Sequence, residues 1–276
     1  MRSFSNFYIL IGKINQYLTQ KLASKGLGID RLKTKEQILA LIRKLHPIQC
    51  EHNLIRIGPI GDGGYLVPDD LNGIIACFSP GVGNVSEFEI QCSQLGMEIF
   101  LADASVDRPD NIPSSFHFTK KFIGPGTQDE YLSLDDWVSE SGIDSTGDIL
   151  LQMDIEGYEY LSLINISDKL LKRCRVIVIE FHDLQKMWEK DMFEFYSWSF
   201  KKLLKNHSCV HIHPNNCDGM DSRNGLQIPR MAEFTFYRND RFTHRSYAKD
   251  FPHTLDCECV PKSPSVELPS IWYRHD

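Results

Sequence analysis

Acidic, imidazole and amide side chains recur in this sequence directly after short apolar runs. Asp154-Ile-Glu156-Gly157 follows Ile149–Met153, Glu180-Phe-His182 closes the run that starts at Arg175, and His213-Pro-Asn215-Asn216 ends the run from Cys209. Such groups suit a site that removes a proton from one molecule while holding it in line with another. Asp154, Glu180, His182 and His213 are candidate bases, and imidazole has the intrinsic pKa nearest neutrality. A single His at such a place is more often a packed, hydrogen-bonded residue, but two of them beside three carboxylates bring the catalytic reading level with that one. Asp154, Glu180, His182 and His213 could instead share a divalent cation that acidifies a hydroxyl. Direct base catalysis by Asp154, His182 or His213 is the preferred expectation, with no metal ligand assigned. Glu180, Asn215 and Asn216 are the candidate acceptor-binding residues, although Asn-Asn after Pro is also simply a turn.

A second set points to a cofactor. Gly81-Val-Gly83 follows the apolar run Ile74–Phe78 and precedes a helical pattern over 86–95. Glycines there let the backbone approach a ligand at a helix start. Asp103 stands twenty residues past Gly83, at the end of the next apolar run, where a carboxylate can accept hydrogen bonds from ribose hydroxyls. The bland alternatives are a tight turn for the glycines and a cap for Asp103; jointly the residues favour nucleotide-ribose binding. Position 86 is Ser rather than a third Gly and position 87 is Glu, whose charge would repel a pyrophosphate. That disfavours a nicotinamide dinucleotide and favours S-adenosylmethionine, which carries adenosine, a sulfonium and an amino acid but no phosphate. Glu156 joins Gly81, Gly83, Asp103 and Asp154 as a cofactor candidate; it could also merely start a helix.

These residues need a scaffold that brings run ends together, and the chain alternates accordingly. Strands are expected at 74–78, 98–102, 116–123, 149–153, 175–181, 209–213 and 232–237. Helices are expected at 86–95, 134–141, 158–164 and 184–204, the last burying Met187, Trp188, Phe195 and Phe200. Nearly continuous apolar strands separated by helices predict a doubly wound, mostly parallel α/β sheet, with the last two strands as its antiparallel edge. In such sheets ligands bind beyond the carboxyl ends of the strands. Residues 1–50 read as a helical appendage, with helices over 4–24 and from Thr34, where Gln37 completes a capping box. The first carries Phe7, Leu10, Ile14, Leu18 and Leu22, and a homodimer through these helices is a reasonable partner. The catalytic domain is expected over 51–240 and a tail over 241–276. Arg56 and Asp62-Gly-Gly64 could fold over the cofactor mouth or form a structural turn.

With 42% hydrophobic and 24% charged residues the chain has ordinary globular composition, which excludes disorder and fibrous repeats. A net charge of −7 gives no electrostatic footprint for nucleic acid. No apolar run approaches the ~20 residues that span a bilayer. The eight cysteines show no disulfide or zinc spacing, and a cytoplasmic location is expected.

Leu150-Leu-Gln-Met-Asp-Ile-Glu-Gly-Tyr-Glu159 resembles the K-x-D-x-E-G-x-E signature of the FkbM-type methyltransferases, a branch of the class I S-adenosylmethionine-dependent fold. Leu132-Ser-Leu-Asp-Asp-Trp137, Val178-Ile-Glu-Phe-His182, Arg56 to Tyr65 and His211 to Asn216 with 229–236 are similar to further segments of that family. The signature's Lys is Gln152 here, and the glycine-rich motif is Phe78-Ser-Pro-Gly-Val-Gly83. The resemblance covers about 54–238. It implies methyl transfer from S-adenosylmethionine, most often to an oxygen on a sugar, glycan or natural product. It also implies that Gly81, Gly83 and Asp103 hold the cofactor and that Asp154 and Glu156 are the central acids. A nicotinamide-dependent oxidoreductase on a similar sheet and a non-catalytic ligand-binding relative are the alternatives.

Overall fold

Runs that are apolar at every position become central strands, because successive side chains point to opposite faces and both faces must be covered. In Cys174–Phe181, Ile177, Ile179 and Phe181 enter one core while Val176 and Val178 enter the other. The computed structural model describes residues 17, 19–22, 24, 25, 32–83, 86–110 and 112–274. Its main sheet contains β1 (Ile74–Pro80), β2 (Glu98–Ala102), β3 (His117–Thr119), β4 (Asp148–Met153), β5 (Cys174–Phe181), β6 (His207–Pro214) and β7 (Ala232–Arg238). They lie in the order β6-β7-β5-β4-β1-β2-β3. Neighbours from β5 through β3 are parallel, and β7 is inserted antiparallel between β5 and β6. The expected doubly wound, mostly parallel sheet is therefore present. Its reversal falls at β7, with β6 rather than the late pair as a unit forming the edge.

Helices α1 (Lys35–Ile42), α2 (Glu87–Gln94), α3 (Leu134–Glu140), α4 (Glu159–Asn165) and α5 (Lys190–Leu203) cover the sheet. The capping box opens α1: Gln37 N donates to Thr34 Oγ1 at 3.4 Å and Thr34 N donates to Gln37 Oε1 at 3.1 Å. Two elements differ from expectation. The run 116–123 breaks at a tight turn where Lys121 N donates to Thr119 O, so Phe122–Gly124 leaves the sheet and pairs with Tyr131–Ser133. The helix expected over 184–204 starts as a 3-10 turn, Leu184–Trp188, and restarts after Glu189, which is extended. Restarting at Lys190 leaves Phe195 37% exposed, and Tyr196 takes the core position, stacked 4.0 Å from Tyr160.

The expected appendage and tail both contribute to the main core. Ile38, Ile42 and Leu45 are fully buried with Phe78 and Phe181, and so is Trp272. His46 Nε2 meets Ile271 O at 2.9 Å, tying these two ends together. The expected helix over 4–24 lies mostly outside the described residues. No described helix is long and apolar enough to cross a membrane. All eight cysteines are free.

His207 opens β6 in a buried position, its Nε2 donating to Cys174 O at 2.7 Å. Burial pushes its pKa down from 6.5 to about 4, with Arg238 acting in the same direction. Between those values the unfolded chain binds a proton that the folded chain refuses. This contribution is therefore intact above pH 6.5 and is lost as pH falls towards 4, a change of about 3 kcal/mol. Urea unfolding at pH 7 and pH 4 is expected to show a smaller acid loss in His207→Gln than in the parent; equal losses would remove His207 from the account.

Candidate active site

Three strand ends are held against one another. β1 ends at Pro80 and the chain turns at Gly81, whose φ is +88°. A Cβ at Gly81 would stand 1.7 Å from Asp154 O, so the loop after β1 lies directly on the residue that follows β4. Gly81 N donates to Ala102 O at 3.1 Å, joining the end of β2. The Asp103 carboxylate accepts from Val82 N at 3.0 Å, from Ser105 N at 2.7 Å and from Ser105 Oγ at 2.6 Å.

A cavity of about 420 Å³ opens between these ends, within the range of small-molecule sites. Gly81, Gly83, Asp103, Asp154 and Glu156, all the cofactor candidates, line it. Its apolar side includes Phe122, Tyr131 and Tyr158. The Phe122 and Tyr131 rings are 5.7 Å apart, and the Tyr131 and Tyr158 hydroxyls meet at 3.2 Å. Sequence reasoning singled out none of these aromatics. Their only signal was position, next to the glycine-terminated third run and beside Gly157.

A buried polar cluster adjoins the cavity at Asp154. The turn after β4 places Glu156 at φ +56° and Gly157 at φ +98°. The fully buried Glu159 closes it, its Oε1 accepting from Ile155 N at 2.9 Å and Gly157 N at 3.2 Å. The same oxygen accepts from His182 Nδ1 at 3.2 Å. His182 Nε2 then faces Asp154 Oδ1 at 3.7 Å, Glu156 Oε2 at 3.6 Å and Glu180 Oε1 at 3.7 Å. Burial pushes the Asp154 carboxyl up to about 6, with His182 opposing and Glu159 and Glu156 adding. Burial and the Asp154 charge push Glu180 well up. Burial acts to lower His182, but Glu159, Asp154 and Glu180 outweigh it and raise the ring to about 9.

Asn215 joins this cluster, its Nδ2 donating to Glu180 Oε2 at 3.3 Å. His213 and Asn216 are turned elsewhere, because the tail intercepts them. His213 Nε2 donates to Cys257 O at 3.1 Å, and its Nδ1 lies 3.6 Å from Asp256 Oδ2. Asn216 exchanges hydrogen bonds with the Val260 backbone, both at 2.9 Å. Sequence reasoning also missed Glu233, which lies opposite Glu180 on β5 and opposite His213 on β6. Burial pushes Glu233 up to about 7, and Cys259 Sγ donates to its Oε1 at 3.4 Å. Gln152, at the position of the signature's Lys, is buried; its Nε2 donates to the Tyr65 hydroxyl at 3.1 Å, and Ser79 Oγ donates to its Oε1 at 2.8 Å. Arg56 donates to Pro59 O at 2.8 Å and Gly61 O at 2.7 Å, which fixes the turn before β1.

The sequence model of the methyltransferase FkbM domain matches residues 70–207, half of the chain. The chain belongs to that family. The FkbM domain is accordingly a methyltransferase with S-adenosylmethionine as its expected cofactor, as the stretch from Leu150 to Glu159 implied. Solved structures resemble it remotely. A prophage-encoded E. coli protein described as a DNA modification methyltransferase aligns at 10% identity and TM-score 0.39, over 60% of this chain and 47% of its own. The chain thus spans about half the length of that protein. Magnesium protoporphyrin IX methyltransferase of Synechocystis, solved with S-adenosylmethionine bound, aligns at 11% and 0.30, over 62% of this chain and 72% of its own. A Pyrococcus horikoshii protein described as an RNA methyltransferase aligns at 13% and 0.34, over 74% and 99% respectively. No curated protein matches the sequence.

Proposed function

We propose that this FkbM domain transfers the methyl group of S-adenosylmethionine to a hydroxyl oxygen of a sugar, glycan or glycosylated natural product. The observation that carries the reading is the double position of Asp154. It lines the cavity beside the Gly81 loop, its Oδ1 faces His182 Nε2, and its carboxylate shares a cluster with Glu180 and His182. A cofactor in the cavity and an acceptor at the cluster would therefore meet at one residue.

The residues present fit the cofactor. Asp103 keeps lone pairs for ribose hydroxyls after its hydrogen bonds to Val82 and Ser105. Phe122, Tyr131 and Tyr158 offer an adenine an apolar, aromatic wall. Glu156, 88% exposed at the cavity edge, offers a carboxylate to the cofactor's cationic amino acid. When bound, the cofactor supplies a methyl carbon activated by its sulfonium. The protein's part is to align the acceptor oxygen and remove its proton. Asp154 and Glu156 both line the cavity and face His182, but Asp154, 34% exposed against 88% for Glu156, is the base that geometry favours, because its carboxylate is set into the cluster rather than into solvent. Asn215 orients Glu180, whose second oxygen can accept an acceptor hydroxyl. A surface this rich in hydrogen-bond acceptors suits a polyhydroxylated molecule and disfavours phosphate, so nucleic acid is not the proposed acceptor.

Titration calorimetry with S-adenosylhomocysteine tests the cofactor half. The parent is expected to bind one equivalent, and Asp103→Ala to bind about tenfold or more weakly, the worth of charge-assisted hydrogen bonds. A parent protein without heat or thermal shift for either cofactor form would sink the reading.

A further inference from the structure

We propose that Asp154, Glu180 and His182 form a divalent-cation site of first-row type, with Mn2+ as the probe of choice. The sequence preferred a metal-free site, but three features of the structure point the other way. Ligand-capable atoms of these three residues all lie within 4.8 Å of one another. The 3.6–3.7 Å separations between His182 Nε2 and its carboxylate neighbours are too long for hydrogen bonds. They suit ligands sharing one ion: atoms about 2.1–2.2 Å from a cation stand roughly 3–3.6 Å apart, so closure needs only small shifts.

The second feature is the state of the oxygens. Glu180, with its side chain only 6% exposed, turns Oε1 towards His182, and among the described residues no hydrogen-bond donor meets that oxygen. Asp154 Oδ1 is buried and has no hydrogen-bond partner among the described residues. Among the described residues, no Lys or Arg pairs with Asp154, Glu159 or Glu180; their ion-pair partner is His182. Unbonded oxygens on converging acids are costly unless a cation collects them.

The third feature is the histidine's support. The fully buried Glu159 accepts a hydrogen bond from Nδ1–H, so Nε2 is the nitrogen turned to the other acids and a metal there would displace its proton; a carboxylate behind a ligating imidazole is the usual support for such a bond. Two carboxylates with an imidazole select a first-row divalent ion over Ca2+, which prefers oxygen alone.

The chemical role rests on the methyl-transfer reading, although binding itself does not. A cation here would take the acceptor oxygen and lower its pKa. The hydroxyl proton passes to the second oxygen of Asp154. The oxygen's electron pair then forms the bond to the methyl carbon, and the carbon–sulfur pair leaves with sulfur as S-adenosylhomocysteine. The cation is unchanged.

The test is Mn2+ binding followed by loss of the free-ion electron paramagnetic resonance signal, with S-adenosylhomocysteine calorimetry on each preparation. One Mn2+ per chain is expected, weakened at least tenfold in Glu180→Gln and His182→Ala and also in Glu159→Gln, where Glu159 acts only by positioning the ring. Spin-echo spectra of the parent should show coupling to an imidazole nitrogen, a readout that holds even if a variant fails to fold. Parent protein that binds S-adenosylhomocysteine but no Mn2+, or a bound Mn2+ without nitrogen coupling, would overturn the site and leave the methyl-transfer reading standing. Mn2+ binding without cofactor binding would do the reverse.

Discussion

Gly81→Ala is expected to abolish methyl transfer, with at least about a hundredfold loss in kcat/KM for S-adenosylmethionine. Two independent costs meet at this residue. Its φ of +88° is a conformation that alanine adopts only under strain. The added methyl would also stand 1.7 Å from Asp154 O and 2.8 Å from Asp154 C. These are backbone atoms of the residue that follows β4, not the tip of a side chain that could swing away. Relief therefore requires moving either the loop or Asp154, and both line the cavity. Gly126→Ala is the control, since a Cβ there meets nothing within 4 Å. Steady-state kinetics on both variants separate a positional effect from a general intolerance of lost glycine. Near-parental turnover by Gly81→Ala would mean that the cofactor does not use the loop after β1.

The same position shows how far the sequence could be read. Gly81 and Asp103 were legible because their roles are local: each ends an apolar run, and the spacing between them is fixed by one strand–helix–strand unit. Asp154, Glu180 and His182 were legible as strand-end residues for that reason too. Their convergence was not, because it depends on β4 and β5 being neighbours in register, with Met153 opposite Ile179. Glu233 was missed since it is one residue inside an ordinary strand; its meaning comes only from lying opposite Glu180 in an antiparallel pair. Glu159 was visible as the last acid of the signature, yet nothing local says that its carboxylate folds back onto His182. His213 and Asn216 fail in the opposite sense. A strand end gives the place of a side chain but not its partner, and residues 256–260, which carry no periodic pattern, reach those two before any acceptor does.

Trp272→Ala is expected to destabilise the fold by about 3–5 kcal/mol, the usual cost of emptying a large, fully buried aromatic site. The residue lies in a 3-10 turn, Ser270–Trp272, within a segment that sequence reading treated as a tail. Its ring is fully buried, 6.1 Å from Phe234 of β7 and inclined at 68° to it, and its Nε1 donates to Gln227 O at 3.3 Å. Next to it, Ile271 O meets His46, so the same turn fastens the end of the α1 segment. The chain that leads to this anchor carries Asp256, Cys257, Cys259 and Val260, which hold His213, Glu233 and Asn216. Releasing the anchor would leave a buried carboxyl and a buried imidazole without these partners, so the loss should be cooperative with the sheet rather than local. Urea unfolding should therefore show a lowered midpoint with an unchanged m-value in a single transition. A separate early transition, or a loss below about 1 kcal/mol, would mean that the tail folds independently of the core that positions the site.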